Sequence, residues 1–323
     1  MAAGVAFALA AGIMWGLVFV GPLLVPEYPA ALQTFGRYLA FGIIALPLAW
    51  LDRDELRGLR RADWLEALRL GAVGNVLYYV CLSSAIPRAG GPLPTMIIGT
   101  LPVVISISAN VLNHQRDGRL PWVRLLPCLV AILVGIACVN QVELQALSAE
   151  AAPDYGRYAS GALLAAGAML CWTWYPLRNA RWLREHPGRK PRAWATAQGL
   201  ATLPLALTGY AAFWVWSAAT GDVFPMPLGP RPWVFVGLML AIGLFASWLG
   251  THCWNEASQR LPTALVGQLI VFETLSALAY AYLLRSSWPP ALTLLGVGLL
   301  LGGVLAAMRI QPVHATAHDE GLA

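Results

Sequence analysis

The sequence contains little charge. Only 11% of its 323 residues are Asp, Glu, Lys or Arg, against roughly 25% in globular proteins. In contrast, 58% are hydrophobic, and the mean hydropathy is +0.63. This composition excludes a soluble enzyme. The apolar residues form unbroken runs of about 20, the length of a helical membrane span, whereas transmembrane β-strands alternate over about 10 residues. The sequence predicts an all-α membrane protein.

The sequence also lacks the motifs of intramembrane enzymes. No Asp lies inside an apolar run, so the paired Asp residues of a membrane aspartyl protease are missing. Neither His-Glu-x-x-His nor Cys-x-x-Cys occurs, and Ser160 lacks the first Gly of a rhomboid-type G-x-S-G turn. All five cysteines fall within apolar runs, where we expect free thiols. The sequence therefore predicts no cofactor and no metal site, and an enzyme is only a distant alternative.

The apolar runs predict ten transmembrane helices, which we number as spans 1 to 10. They lie near 3–23, 31–50, 67–86, 92–113, 123–141, 158–179, 194–216, 233–256, 263–284 and 291–310. If the N-terminus is cytoplasmic, 16 of the 21 basic residues lie in or beside cytoplasmic connections and four lie outside. Because basic residues accumulate on the cytoplasmic side, both termini are predicted to be cytoplasmic. The net charge of +5 is thus explained by orientation, and nucleic acid is not an expected partner.

Weak internal repetition divides the chain into two halves. The run Leu9–Gly12 followed by Met14 in span 1 matches Leu164–Gly167 followed by Met169 in span 6. Five spans per half place the second half upside down relative to the first. The predicted units are therefore a five-helix repeat at 1–142, an inverted five-helix repeat at 158–310, and a polar tail at 311–323.

With these features the chain resembles the drug/metabolite transporter superfamily with paired EamA-type modules. The resemblance rests on the ten spans, on the 5+5 duplication, on Trp15 and Trp172 near the middle of the first span of each half, and on Gly36-Arg37-Tyr38 early in span 2. The Trp-rich character and Leu101-Pro102-Val103 are similar to YddG-type bacterial exporters of aromatic amino acids. The resemblance implies a multi-pass protein of the bacterial inner membrane that exports small metabolites.

Ionisable groups inside a membrane are costly and usually face a cavity. Glu273 is the one carboxylate deep in a span. It is expected either to carry a proton or to pair with a substrate ammonium group; the alternative is a protonated carboxyl that is hydrogen-bonded between helices. His252 is a weaker candidate. Arg37 lies within span 2, where snorkelling or pairing with Glu27 favours a structural role.

Aromatic residues supply the rest of the predicted site. Eleven of the 14 Trp residues lie near span ends, where the aromatic belt of a membrane protein accounts for them, and Trp15, Trp172 and Trp248 are deep. Aligning Gly74 with Gly243 places Tyr79 opposite Trp248, so these aromatic residues are expected around a midplane cavity. The complete predicted set of substrate-binding residues is Trp15, Asn75, Tyr78, Tyr79, Met96, Thr100, Trp172, Trp248, His252 and Glu273.

A cavity with these side chains suits a small amphipathic molecule with an apolar or aromatic body and a cationic group. Aromatic amino acids satisfy this description, and so do many drugs. The resemblance favours export of amino acids. The inverted repeats favour an alternating-access carrier, and Glu273 offers a site for proton coupling. A multidrug or other metabolite exporter of the same superfamily is the alternative.

Overall fold

A computed structural model describes residues 1–89, 92–112, 120–141, 155–221, 223–284, 286 and 288–310. Within these ranges the chain is helical without strands, and a helix lies at each of the ten predicted spans. A short helix, Arg53–Arg57, precedes span 3. The helices are Ala2–Leu24 (span 1), Ala30–Leu51 (span 2), Arg61–Leu70, Gly71–Leu77 and Tyr78–Ala89 (span 3), Pro92–Gly99 and Leu101–Leu112 (span 4), Trp122–Val139 (span 5), Tyr155–Glu185 (span 6), Pro191–Thr220 (span 7), Pro232–Ile242, Gly243–Leu249 and Gly250–Arg260 (span 8), Thr263–Leu269 and Val271–Leu284 (span 9) and Ala291–Ala307 (span 10).

Length and apolar composition qualify seven helices of the described part of the chain to cross a membrane, in spans 1, 2, 3, 5, 7, 8 and 9. The apolar helices Leu101–Leu112 and Ala291–Ala307 are shorter. The predicted all-α fold with many spans is confirmed. The connection between the two predicted repeats and the predicted polar tail fall largely on 142–154 and 311–323, outside the described residues.

Prolines set where several helices begin. Spans 7 and 8 start with Pro191 and Pro232 in the first turn, and Pro29 immediately precedes span 2. Proline fits there because its fixed φ suits the first turn and its missing N–H would have no helical partner. Span 7 ends at Gly221, which has φ 68° and thus the left-handed conformation that glycine adopts without strain.

Spans 3 and 8 share an irregular feature at matching places. Each contains seven residues of π-helix, Gly71–Leu77 in span 3 and Gly243–Leu249 in span 8. A π-helix of this length is rare and is found mostly at functional sites. The pair aligns Gly71 with Gly243, three residues away from the alignment that the sequence suggested.

Spans 4 and 9 are both interrupted near their middles. Span 4 breaks at Thr100, and span 9 breaks at Ile270. The prolines of span 4 predict a kink, but Pro102 lies in the first turn of the second helix, where its missing N–H costs nothing. Span 9 breaks without a proline, and Ile270 donates its N–H to the Gly267 carbonyl instead.

The packing of the spans defines two groups of three. Span 6 packs against spans 3 and 4, and span 1 packs against spans 8 and 9. We call these the 3–4–6 group and the 1–8–9 group. Span 2 packs against span 7, span 5 against span 10, and the second helix of span 4 against the first helix of span 9. This arrangement is unchanged when spans 1 to 5 are exchanged with spans 6 to 10.

The connections meet in the way that an alternating topology requires. The connection between spans 2 and 3 contacts the one between spans 6 and 7, where Lys190 pairs with Glu55 at 3.0 Å. At the opposite end, Arg231 pairs with Glu27 at 2.6 Å between the connections that follow spans 1 and 7. The connections between spans 2 and 3 and between spans 6 and 7, both predicted to be cytoplasmic, therefore lie at the same end of the bundle.

Candidate functional site

Three of the predicted aromatic residues meet between the two groups of spans. The rings of Trp15 and Trp172 pack edge to face with centroids 5.4 Å apart, and Tyr78 approaches Trp172 at 5.9 Å. Trp15 is buried, whereas Tyr78 and Trp172 keep part of their surface accessible in the middle of their spans. The midplane cavity that the sequence predicts would lie where these rings meet, and we call this region the central cavity.

Glu273 lies at the same level. Span 1 approaches span 9 closely here, because Gly12 packs directly against the backbone at Phe272 and Glu273, and Gly16 against Ser276. Any side chain at these two glycines would overlap span 9. Glu273 is half-buried, and Gly12, which its backbone contacts, lies one helical turn from Trp15 in span 1. Glu273 therefore lies close to the aromatic rings.

Other predicted residues lie near the cavity in different roles. Thr100, at the break in span 4, donates its hydroxyl to the Ile97 carbonyl at 2.7 Å and contacts the Met169 sulfur at 3.4 Å. Tyr79 donates to the Ala30 carbonyl at 2.9 Å. Asn75 is half-buried within the π-helical turn of span 3. The side chain of Met96 lies outside the described part of the chain.

Trp248 and His252 do not join the Trp15 group. Trp248 packs with Tyr38 and Phe41 and donates its Nε1–H to the Thr196 hydroxyl at 3.2 Å. The His252 ring lies parallel to Trp248, 6.0 Å away. Its Nδ1 has no hydrogen-bond partner among the described residues. These two residues form a second aromatic site beside span 2.

Three tryptophans assigned to the aromatic belt are buried instead, so that assignment is wrong for them. Trp254 is 1% exposed and packs on Trp15 with centroids 5.0 Å apart. Trp182 and Trp194 stack on each other at 3.5 Å. Position along a span gives depth in the membrane but not the direction in which the ring points. Trp233 and Trp288, in contrast, are exposed as the belt requires.

Arg37 has a different partner from the one expected. Glu27 accepts two hydrogen bonds from Arg231, at 2.6 and 2.8 Å. Arg37 instead donates its Nε–H to the Ser247 hydroxyl at 2.9 Å and contacts the Tyr38 ring at 5.1 Å. The predicted pairing of Arg37 with Glu27 is wrong because tertiary packing places a second arginine closer to Glu27.

A buried polar network joins spans 6, 7 and 8 toward the predicted cytoplasmic end. Asn179 of span 6 donates to the Asn255 side chain of span 8 at 2.8 Å and accepts from Trp194 at 2.9 Å and Gln198 at 3.1 Å. Both asparagines are fully buried. Arg184 reaches further toward this end and donates to the Leu261 carbonyl at 2.5 Å.

Another contact between the two groups lies at the same end. The Ser106 hydroxyl of span 4 donates to the Pro102 carbonyl of its own helix at 2.6 Å and also lies 3.1 Å from the Ala264 carbonyl of span 9. Together with the bonds of Asn179 and Arg184, it joins the 3–4–6 group to the 1–8–9 group in the halves of the spans nearer the predicted cytoplasm. The structure is therefore closed at that end.

The chain is similar to known membrane transporters. Residues 2–139 match the family described as the EamA-like transporter family. The chain is 56% identical over 314 residues to the inner membrane protein YtfF of Escherichia coli, covering 97% of both chains. It is 20% identical over 323 residues to the uncharacterized transporter YetK of Bacillus subtilis, covering 99% of this chain and 91% of that one.

A solved crystal structure has the same fold. It superposes with a TM-score of 0.70 at 18% sequence identity, covering 95% of this chain and 96% of the other. At this identity the likeness concerns the fold alone, whereas the likeness to YtfF extends over nearly the whole sequence. The chain belongs to the EamA-like transporter family, as its resemblance to the drug/metabolite transporter superfamily implies.

Proposed function

We propose that this protein is an inner-membrane carrier that exports small amphipathic metabolites, in particular amino acids including aromatic ones. The observation that carries the proposal is the meeting of Trp15, Trp172 and Tyr78 close to Glu273, the one carboxylate deep in a span. Aromatic faces bind the apolar body of such a molecule, and a carboxylate binds its ammonium group. The E. coli relative is, by its name, an inner membrane protein.

The predicted division into two inverted repeats, 1–142 and 158–310, favours transport by alternating access. The π-helical turns of spans 3 and 8 and the breaks in spans 4 and 9 occur at corresponding places in the two halves. Transporters of this design bind substrate near the bilayer midplane, where interrupted helices meet. Movement of the 3–4–6 group against the 1–8–9 group would open the cavity to each side in turn.

Uptake into proteoliposomes tests the proposal directly. The purified protein is reconstituted, and labelled phenylalanine, other amino acids and a cationic drug are offered with and without a pH gradient. The proposal requires saturable transport of at least one aromatic amino acid. Transport of the cationic drug alone would favour a multidrug exporter, which the negative charge beside the aromatic rings also permits.

Glu273 has two possible roles, and one substitution separates them. If Glu273 carries the coupled proton, Glu273→Gln abolishes accumulation driven by a pH gradient but spares exchange of labelled for unlabelled substrate. If it pairs only with the substrate's ammonium group, the change weakens both processes. Glu256→Gln is the matched control, because Glu256 lies at the cytoplasmic end of span 8 and pairs with Arg260.

A further inference from the structure

Four buried side chains form a hydrogen-bond chain that runs toward the predicted cytoplasmic end. Tyr175 donates its hydroxyl to the Gln198 Oε1 at 2.8 Å, and Gln198 donates to the Asn179 Oδ1 at 3.1 Å. Asn179 donates to the Asn255 Oδ1 at 2.8 Å, and Asn255 donates to the Pro191 carbonyl at 3.2 Å. Each side chain therefore donates to the next group, and all four bonds run in one direction.

Two groups of fixed polarity set this direction. The Trp194 indole N–H can only donate, and it bonds to Asn179 at 2.9 Å, so the Asn179 oxygen must face it. The same oxygen accepts from the amide nitrogen of Gln198, which turns the Gln198 oxygen toward the Tyr175 hydroxyl. At the other end the Pro191 carbonyl can only accept, which orients the last amide of the chain in the same sense. No amide of the chain can turn over without placing two oxygens or two N–H groups against each other.

The chain begins beside the aromatic rings of the central cavity. The Tyr175 ring lies 5.8 Å from the ring of Trp172, which precedes it by one turn of span 6. Trp172 in turn contacts Trp15 and Tyr78. Gly74 of span 3 packs so closely against the Tyr175 ring that a Cβ on this glycine would overlap it. The Tyr175 ring is thus held between two spans, and a displacement of Trp172 would be passed to its hydroxyl.

We propose that Tyr175 is a positioning residue that couples occupancy of the central cavity to closure of the predicted cytoplasmic end. This inference rests on the proposed function, because it requires a substrate in contact with Trp172. The bond between Asn179 and Asn255 joins the 3–4–6 group to the 1–8–9 group, and it must break if that end is to open. A substrate that displaces Trp172 also draws the Tyr175 hydroxyl away from Gln198. The Gln198 amide is then free to turn, Asn179 loses its support, and the end opens more easily.

Thiol labelling at a buried position measures this opening. Ser258 is fully buried near the predicted cytoplasmic end of span 8, and Ser258→Cys in a protein without the native cysteines gives what we call the reporter protein. Its labelling rate is measured with and without phenylalanine. Tyr175→Phe keeps the ring but removes the donor to Gln198. In this variant, labelling without phenylalanine should be about 3- to 10-fold faster, because a hydrogen bond between membrane helices is lost.

The response to phenylalanine tests the coupling itself. In the reporter protein, saturating phenylalanine should accelerate labelling by about the same 3- to 10-fold, because it weakens the same bond. In Tyr175→Phe that bond is already absent, so phenylalanine should change the rate little. Gln198→Met, which removes both bonds of the amide, should also lose the response. Tyr210→Phe is the matched control, because the Tyr210 hydroxyl bonds to the Pro227 carbonyl at 2.6 Å, outside this chain, and it should keep both the rate and the response.

The outcomes separate this inference from the proposed function. If Tyr175→Phe or Gln198→Met responds to phenylalanine as fully as the reporter protein does, the coupling is refuted. If the reporter protein transports phenylalanine but is labelled equally fast with and without it, the coupling is refuted and the exporter stands. If the reporter protein and wild type transport no amino acid, the proposed function is overturned and the coupling falls with it. The measurement on the reporter protein decides the matter even where a variant fails to insert.

Discussion

The buried asparagine pair at the closed end of the cavity gives a quantitative prediction. Asn179 joins span 6 to Asn255 of span 8 and also accepts hydrogen bonds from Trp194 and Gln198 of span 7. Asn179→Ala removes one donor and one acceptor, so three buried groups lose a partner. The closed state should lose stability, and the end that this network closes should open more often.

The size of the effect follows from the three groups. Hydrogen bonds between membrane helices contribute roughly 0.6 kcal/mol on average, which sets a lower bound of about 2 kcal/mol for three. A buried group left unpaired costs about 1–3 kcal/mol, which sets an upper bound near 9 kcal/mol. Water can enter the space vacated by the amide, so we expect about 2–4 kcal/mol. The melting temperature should fall by several degrees.

A cysteine at position 258 reports the opening itself. Ser258 is fully buried in span 8, and Arg184 donates to its carbonyl at 3.3 Å. Ser258→Cys should therefore leave the protein's stability little changed, and the thiol should be inaccessible while the predicted cytoplasmic end is closed. In a background without the native cysteines, thiol labelling from the cytoplasmic side should be slow. Adding Asn179→Ala should accelerate it at least about tenfold, because each 1.4 kcal/mol shifts a population tenfold.

Asn140→Ala is the matched control. Asn140 is half-buried, and among the described residues its side chain bonds within span 5, to the Ile136 carbonyl at 2.9 Å. This variant should change the melting temperature and the labelling rate little. If Asn179→Ala behaved like Asn140→Ala in both measurements, the network would not hold the cavity closed.

Three further predictions concern the cavity, the orientation and the outer ion pair. Trp15→Ala and Trp172→Ala should each weaken transport at unchanged expression; an unaltered concentration dependence of uptake would reduce these rings to packing. A cysteine at Val223 should react with an impermeant maleimide in intact cells and one at Arg60 only after permeabilisation; the opposite labelling would invert the orientation. Arg231 holds the pKa of Glu27 below its ordinary value of 4.5, so the pair's contribution is present at neutral pH and is lost only as the pH falls through that lowered pKa. Glu27→Gln should therefore leave the pH profile of transport between about pH 6 and 8 unchanged, and a shifted profile would contradict this.

Hydrophobic runs predict the helices well because a span of about 20 apolar residues must form all its backbone hydrogen bonds within itself. The same runs do not show where hydrogen bonding changes within a span. The prolines of span 4 predict a kink. The break in span 9, at Ile270, has no proline or glycine at that position to predict it. The π-helical turns differ from α-helix only in the bonding offset, which leaves no periodic signal over seven residues.

The site is only partly readable for a related reason. Glu273, Trp15 and Trp172 stand out because deep charges and deep rings are conspicuous in an apolar chain. The sequence assigns Arg37 a structural role, because Glu27 is the nearest carboxylate along the chain. Which side chains face each other depends on the rotation of each helix about its axis, and short apolar repeats specify that rotation weakly.

The π-helical turn of span 3 fixes the rotation of everything that follows it. Tyr78 is the first residue after Gly71–Leu77, and each residue of an α-helix advances about 100° around the axis. Deleting one residue from this turn would restore regular winding and swing Tyr78 away from Trp172. If the two halves descend from one five-span ancestor, the wide turns of spans 3 and 8 descend from a single inserted residue.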